Sequence, residues 1–290
     1  MKNSFHLNTK IIGLLGHPIK HTYSPFIHNI AIDLKNLDYI YLPFDVPASG
    51  LKNALKGMLA LGIKGFNVTI PHKENIVQFL NNVSEEASII GSVNTIVNDL
   101  GKLTGYNTDV NGVLDTLLPY KDTINGNDVS IVGAGGAARA VIYTLVRHFK
   151  PKNIFLINRT EQRAEALKKY FYEKMKFEGF RAFELFPPDL VDIFRASKLI
   201  VNATSIGMFP DVDDTITTLE DSFCEGQIVF DLVYNPPQTK LLKIAASKGA
   251  VTLDGLQMLI SQGAKAFELW TGEQMPIDQI NKALKLYLSN

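Results

Sequence analysis

Residues 129–141 read VSIVGAGGAARAV, and no other stretch of the chain restricts the fold as much. A buried-strand run passes into a glycine turn, and the turn passes into residues that favour a helix. Gly133, Gly135 and Ala138 hold the spacing of a dinucleotide fingerprint. Glycine permits the tight turn and lets the backbone approach a pyrophosphate, while a small third residue lets helix and strand pack closely. The N-terminus of the following helix offers unpaired N–H groups and a partial positive charge to the phosphates.

The rest of the chain fits that beginning. Short β-rich runs alternate with helical stretches almost throughout, which predicts an α/β protein with largely parallel sheets. The first series has strands at Lys10–Leu15, Tyr39–Phe44, Gly65–Thr69 and Asn94–Asn98. Its helices fall at Ser24–Leu34, with Pro25 suited to a first turn, at Leu51–Leu61 and at Lys73–Leu80. A second series follows the polar stretch Lys121–Asp128. It has strands at Val129–Val132, Ile154–Ile157, Leu199–Asn202 and Ile228–Leu232, and helices at Ala137–Phe149, Glu161–Lys174 and Thr239–Lys248. Asp254–Trp270 and Ile277–Leu288 are helical by spacing. Boundaries near 110–125 and 250–256 divide the chain into 1–112, 113–253 and 254–290, and periodicity leaves open which body the last helices join.

Composition narrows the function. Lys+Arg and Asp+Glu both number 29, so no overall basic field recruits nucleic acid or an anionic membrane. No apolar run approaches the roughly 20 residues that span a bilayer, and no apolar stretch ahead of a cleavage site marks the N-terminus. A single cysteine, Cys224, suits a reducing compartment. A soluble, cytoplasmic protein is expected, with its oligomeric state open, a homodimer included.

The strand after the fingerprint ends at Asn158, where an NAD enzyme usually places an acid for the ribose 2′-hydroxyl. Here Asn158-Arg159-Thr160 follows, with Arg163 one helical turn on. Two guanidinium groups and a hydroxyl suit a 2′-phosphate, which a carboxylate would repel. NADP is the expected cofactor.

Four segments of the first series gather polar residues beside strand ends: GHPIKHTYSPFIHN (16–29), GFNVTIPHKE (65–74), GSVNTIV (91–97) and GYNTD (105–109). Together they offer hydroxyls (Thr22, Ser24, Thr69), amides (Asn67, Asn94), an amine (Lys73) and a carboxylate (Asp109). Such a set suits a small polyhydroxylated acid, because hydroxyls and amides exchange hydrogen bonds with its hydroxyls and a lysine or hydroxyl pair holds its carboxylate.

These segments resemble the signature motifs of the shikimate dehydrogenase family. So do GAGGA, the NRT with its following Arg, NATSIGM (202–208), LVYNP (232–236) and DGLQMLISQGAKAF (254–267), in order from Ile12 to Trp270. The resemblance implies an N-terminal α/β substrate domain, a Rossmann-type NADP domain, and C-terminal helices that return to the first domain. It implies interconversion of 3-dehydroshikimate and shikimate in aromatic amino-acid biosynthesis. By position, Thr22 and Ser24 would hold the substrate carboxylate, and Asn67, Thr69, Asn94, Tyr234 and Gln262 would bind elsewhere on the substrate or support that site. Lys73 and Asp109 would be the catalytic pair. Gly133, Ala134, Gly135, Gly136 and Ala137, the 158–163 edge, Thr204, Met208, Leu232 and Gly255 would face the cofactor.

From that pair a mechanism follows: the carbonyl oxygen gains negative charge as hydride arrives, and the Lys73 ammonium can stabilise and protonate it while Asp109 orients the ammonium. Two positions depart from the family pattern. Thr22 stands where serine is usual, adding a methyl near the carboxylate and bearing on shikimate-versus-quinate preference. Val110 follows Asp109 where glycine is common, which excludes easy positive φ and predicts ordinary helix or strand geometry. His17, His21, His28 and His72 lack zinc-like spacing, and no metal is expected. A quinate/shikimate dehydrogenase of broader substrate or cofactor range, another two-domain NADP enzyme such as a methylene-tetrahydrofolate dehydrogenase, and a non-catalytic nucleotide-sensing module are the alternatives. Retention of both Lys73 and Asp109 argues against the last.

Overall fold

The alternating runs build two six-stranded sheets, one in each of two units. The computed structural model describes His6–Leu185 and Leu190–Leu288. The first unit runs to Gly112 and resumes at Leu259, and the second is Val113–Met258. The second break lies a few residues beyond the 253/254 division.

In the first unit the elements are β1 (Lys10–Gly16), α1 (Ser24–Leu34), β2 (Tyr39–Asp45), α2 (Leu51–Ala60), β3 (Gly65–Val68), β4 (Asn82–Val83), α3 (Glu85–Ile90), β5 (Thr95–Asp99) and β6 (Lys102–Tyr106). α4 (Asp109–Leu117) leads out of it. The second unit holds α5 (Lys121–Ile124), β7 (Asp128–Val132), α6 (Gly136–Thr144), β8 (Asn153–Asn158), α7 (Glu161–Met175), β9 (Phe180–Glu184), α8 (Leu190–Ala196), β10 (Leu199–Asn202), β11 (Ile228–Asp231), α9 (Lys240–Ser247) and β12 (Val251–Leu253). α10 (Leu256–Thr271) and α11 (Ile277–Leu288) close the described chain.

The second sheet is parallel throughout, in the order β12-β11-β10-β7-β8-β9. Its strand order reverses between β7 and β10, the switch point where such sheets bind ligands. Its core includes Val132, Ile157, Ile200 and Val229 from the strands and Phe194, Leu241 and Ala245 from the helices.

The first sheet is parallel-rich as expected, except for one reversed strand. Its order is β2-β1-β3-β5-β6-β4, with β5 antiparallel to both β3 and β6. The cause is the two-residue turn Leu100-Gly101, at φ 49° and 90°, which pairs Asp99 with Lys102. Positive φ at both central residues gives the turn a twist that suits a tight hairpin. This reversal matters for the site. It brings Asn94, ahead of β5, to the same sheet edge as Thr69, after β3, and Asp109, after β6. A parallel β5 would have carried Asn94 to the opposite edge.

Two helices also differ from expectation. Lys73 is not helical, and only a 3₁₀ turn at Asn75–Phe79 forms within 73–80. The Lys73 carbonyl accepts from Val93 N–H at 2.8 Å, so it is drawn to the sheet edge and away from a helical bond. α6 ends at Thr144 and passes into a π turn, Leu145–Phe149, closed by Lys150 at φ 50°.

Trp270 of α10 packs over the first sheet, and its indole N–H donates to the Ile96 carbonyl at 2.9 Å. Gly65 leaves the space that ring needs, since a Cβ there would overlap the indole and the Ile96 carbonyl. Gly65→Ala is therefore expected to cost about 1–3 kcal/mol by overpacking, read as a lower urea midpoint with an unchanged slope. An unchanged midpoint would show that the indole is not held there. Among the described residues no helix is long and apolar enough to cross a membrane.

Candidate active site

Lys73 and Asp109 meet at the polar edge of the first sheet. The Lys73 ammonium donates to Asp109 Oδ2 at 2.6 Å, with side-chain exposures of 16% and 5%. Asp109 is the first residue of α4 and Val110 behind it is buried, so the pair rests on ordinary helical backbone. A buried carboxylate needs both oxygens satisfied. Asn94 supplies the second bond, its amide N–H donating to Asp109 Oδ1 at 2.8 Å.

Asn94 is itself held in one orientation. Its Oδ1 accepts from Thr108 N–H at 2.7 Å and from the Thr95 hydroxyl at 3.1 Å. Its Nδ2 also lies 3.0 Å from Thr108 Oγ1 and 3.4 Å from Gln262 Oε1. Gln262, on α10, is anchored by its own amide on the Leu259 carbonyl at 2.7 Å. The sequence reading did not single out Thr108. The available signal was a hydroxyl residue just before a helix start and next to a candidate carboxylate.

Asn67 has a supporting part. Its Oδ1 accepts the Tyr41 hydroxyl at 2.8 Å, and its Nδ2 donates to Thr95 Oγ1 at 3.1 Å and the Asn94 carbonyl at 3.3 Å. With the residue only 5% exposed, the amide is committed to the frame and leaves little for a substrate. Tyr41 in turn stacks on His28, ring centroids 4.3 Å apart. Burial pushes the His28 imidazole down to about 3, so it is a neutral core group. Tyr41→Phe would strand Asn67 Oδ1 in the interior. A loss of about 1–3 kcal/mol is expected by chemical denaturation, whereas an unchanged stability would mean that the amide finds another donor.

Thr22 and Ser24 stand together at the start of α1. The Thr22 hydroxyl lies 3.2 Å from Ser24 Oγ and accepts Ser24 N–H at 3.2 Å. The first N–H of the helix is thus already taken by Thr22, and Pro25 behind it has none, so the two hydroxyls are the polar groups that this corner offers. Thr69, half-buried, continues the edge after β3. Of the other histidines, His17 pairs with Asp45 at 2.7 Å and buried His72 lies against the Val46 carbonyl at 2.7 Å. Among the described residues no group of three or more His, Cys, Asp or Glu could hold a metal ion.

The second unit carries the glycine fingerprint at its switch point. Gly133 has φ +118°, and a Cβ there would press on the Ala203 carbonyl oxygen at 3.0 Å and the Thr204 methyl at 3.2 Å, so only glycine lets the two loops meet. A Cβ on Gly135, in contrast, would meet nothing within 4 Å. That open space lies at the N-terminus of α6, which no side chain caps, with Gly136 and Ala137 in its first turn. Ala134 is buried in the turn itself. These residues fit a pyrophosphate approaching the backbone.

At the end of β8, Asn158 donates to the Thr160 carbonyl at 2.9 Å and shapes the corner. Thr160 occupies the N-cap position of α7 without capping it, which leaves its hydroxyl for a ligand. Arg159 and Arg163 are exposed there. Thr204 is held by Asn202, with its hydroxyl 2.6 Å from Asn202 Oδ1. Met208 is exposed on the same loop, Leu232 and Tyr234 are half-buried after β11, and Gly255 lies so close to the Leu232 carbonyl that a Cβ would collide with it.

Comparison with known proteins adds independent findings. Residues 14–96 match the shikimate dehydrogenase substrate-binding domain, 118–224 the shikimate/quinate 5-dehydrogenase family, and 255–285 the shikimate 5′-dehydrogenase C-terminal domain. A shikimate dehydrogenase (NADP(+)) of Caldanaerobacter subterraneus subsp. tengcongensis is 42% identical over 277 residues, covering 96% of this chain and 97% of that protein. The crystal structure of shikimate 5-dehydrogenase from Listeria monocytogenes, in complex with shikimate and NAD, is 37% identical with a TM-score of 0.84, covering 98% and 99% of the two chains. That of the Thermus thermophilus enzyme, in complex with NADP(H) and shikimate, is 35% identical with a TM-score of 0.82, covering 95% and 98%.

Proposed function

The chain belongs to the shikimate dehydrogenase family, and from that premise we propose that Lys73 and Asp109 are the acid–base pair of its reaction. The reaction is the NADP-dependent interconversion of 3-dehydroshikimate and shikimate, which fits a step of aromatic biosynthesis. The observation that carries the pair is the 2.6 Å contact between a nearly buried ammonium and a carboxylate whose second oxygen is already bonded.

NADPH, when bound, supplies the hydride. The chain's own residues do the rest. Thr22 and Ser24 take the substrate carboxylate through their hydroxyls, while Thr69 and Gln262 take hydroxyl groups. The Lys73 ammonium stands at the carbonyl oxygen, offsets the charge that develops there and passes it a proton. Asp109 holds that ammonium in place and accepts from a substrate hydroxyl, and Asn94 keeps the carboxylate from turning. In the reverse direction neutral Lys73 takes the proton from the alcohol.

Arg159, Arg163 and the Thr160 hydroxyl hold the 2′-phosphate, and the backbone of 133–137 holds the pyrophosphate. The reading is tested with purified protein and shikimate or quinate, each with NADP or NAD, followed by cofactor absorbance. Shikimate with NADP is expected to give the highest kcat/KM, and a preference for quinate with NAD would overturn the substrate and cofactor assignment. We place the protein in the cytoplasm, where Cys224 needs no disulfide partner. Sedimentation velocity would distinguish a homodimer from a monomer.

A further inference from the structure

The dinucleotide unit contains a buried acid that the chemistry above does not use. Asp231, the last residue of β11, is fully buried at 0% exposure, and its carboxyl receives three donors. Asn202 Nδ2 donates to Oδ1 at 2.9 Å, Val233 N–H to the same oxygen at 3.1 Å, and the Thr239 hydroxyl to Oδ2 at 2.7 Å. None of the three is a cation. Each belongs to a different piece of the switch-point edge: the end of β10, the first turn after β11, and the N-cap of α9.

The bonds continue outward. Asn202 Oδ1 accepts both the N–H and the hydroxyl of Thr204, and Asn202 Nδ2 reaches the Ile206 carbonyl at 3.2 Å. Further along, Phe209 N–H donates to the Asn235 carbonyl at 2.9 Å and joins the two loops directly. One carboxylate thus lies behind both loops that follow β10 and β11.

We propose that Asp231 is a positioning residue for the cofactor: its carboxylate ties the 203–208 loop to the 232–239 loop and so sets where Thr204, Met208 and Leu232 stand. The proposal rests on the cofactor reading given above. It goes beyond that reading because Asp231 is fully buried and acts through Asn202, Val233 and Thr239. Burial pushes the Asp231 carboxyl up to about 6, with the nearby Asp254 carboxylate adding to the rise and the three donors opposing it. A neutral residue of the same shape would rest more easily in that place. The charge is therefore a cost to the fold, carried where two ligand-facing loops meet.

Asp231→Asn separates the two effects. Its carbonyl oxygen keeps the Asn202 and Val233 bonds, but its NH₂ faces Thr239. The Thr239 hydroxyl already accepts Leu242 N–H at 3.3 Å, and in the variant it loses the acceptor for its own hydrogen. The variant is compared with wild type and with Asp231→Val by thermal melting without ligand and by isothermal titration with NADP. Relief of the buried charge offsets the stranded Thr239 hydrogen, so for Asp231→Asn a Tm close to that of wild type is expected, with the NADP Kd raised about fivefold to tenfold, the scale of one lost charge-assisted hydrogen bond. Asp231→Val should bind more weakly still.

An Asp231→Asn protein of unchanged Tm whose Kd stays within about twofold of wild type would overturn the proposal. So would a parallel loss of Tm and affinity in that variant, which marks a purely structural residue. Wild-type protein that fails to bind NADP would overturn the cofactor reading as well, and this distinguishes the two failures.

Discussion

Replacing Lys73 by alanine lowers kcat by roughly 100-fold or more, with a smaller change in KM. General acid–base catalysis operates on that scale, which corresponds to about 2.7 kcal/mol of lost transition-state stabilisation. The geometry explains why the loss falls on kcat. On the proposed reading, substrate carboxylate and hydroxyl contacts fall to Thr22, Ser24, Thr69 and Gln262, which the substitution leaves alone, whereas the developing oxyanion loses the Lys73 ammonium. The change also leaves Asp109, at 4% exposure, with Asn94 as its remaining partner. Lys73→Met keeps the bulk of the stem and should show the same kinetic loss with less disturbance of the site. Asp109→Asn acts in the same direction, and the double variant falls far short of the product of the single effects because the pair acts as one unit. Near-normal turnover by folded Lys73→Ala protein would remove the assignment.

Cofactor preference should move almost as far. Arg159→Ala is expected to weaken NADP by about tenfold or more, since charge-assisted bonds to a phosphate contribute roughly 1.5–3 kcal/mol each. NAD lacks that phosphate and should be little affected. Combining Asn158→Asp with Arg159→Ala removes attraction and adds repulsion, so the NADP/NAD ratio of kcat/KM should fall by roughly two orders of magnitude, as two such terms would give. Substrate KM should hardly change, because Thr22, Ser24, Lys73 and Asp109 belong to the other unit. A ratio that Arg159→Ala leaves untouched would mean that the 2′-phosphate is held elsewhere.

Much of this was legible in the residues, and the failures have physical causes. Strands such as Leu199–Asn202 are apolar runs bounded by polar residues, and helices such as Ser24–Leu34 carry a proline in the first turn, so both matched expectation to the residue. The missed elements lack such marks. β9 and β12 are edge strands whose residues, Phe180 apart, are exposed or half-buried, and α3 is only six residues long. The β5–β6 turn hid because Leu100 occupies a positive-φ position that usually signals itself through asparagine or glycine. The 73–80 stretch has helical periodicity, but the Val93 N–H bond takes the Lys73 carbonyl, a tertiary effect that no local pattern contains.

At the site, family motifs pointed to Lys73, Asp109 and Asn94, which the fold brings together. They said nothing of Thr108 or Tyr41, whose parts depend on which bond each amide has already made. Asn67 shows the limit from the other side. Its residue type suits a substrate hydroxyl, yet Tyr41 and Thr95 have claimed it.

The first unit is made from both ends of the described chain, and this imposes an order in time. Its sheet emerges early in synthesis, but Gln262, which lies against Asn94 and Thr108, and Trp270, which fills the space over Gly65, arrive only after the whole of the second unit has been translated. At roughly 5–20 residues per second that interval is on the order of ten seconds. Through it the nascent sheet lacks its indole cover and the Lys73–Asp109 pair lacks one wall. The substrate side of this enzyme is therefore begun before the second unit and finished after it.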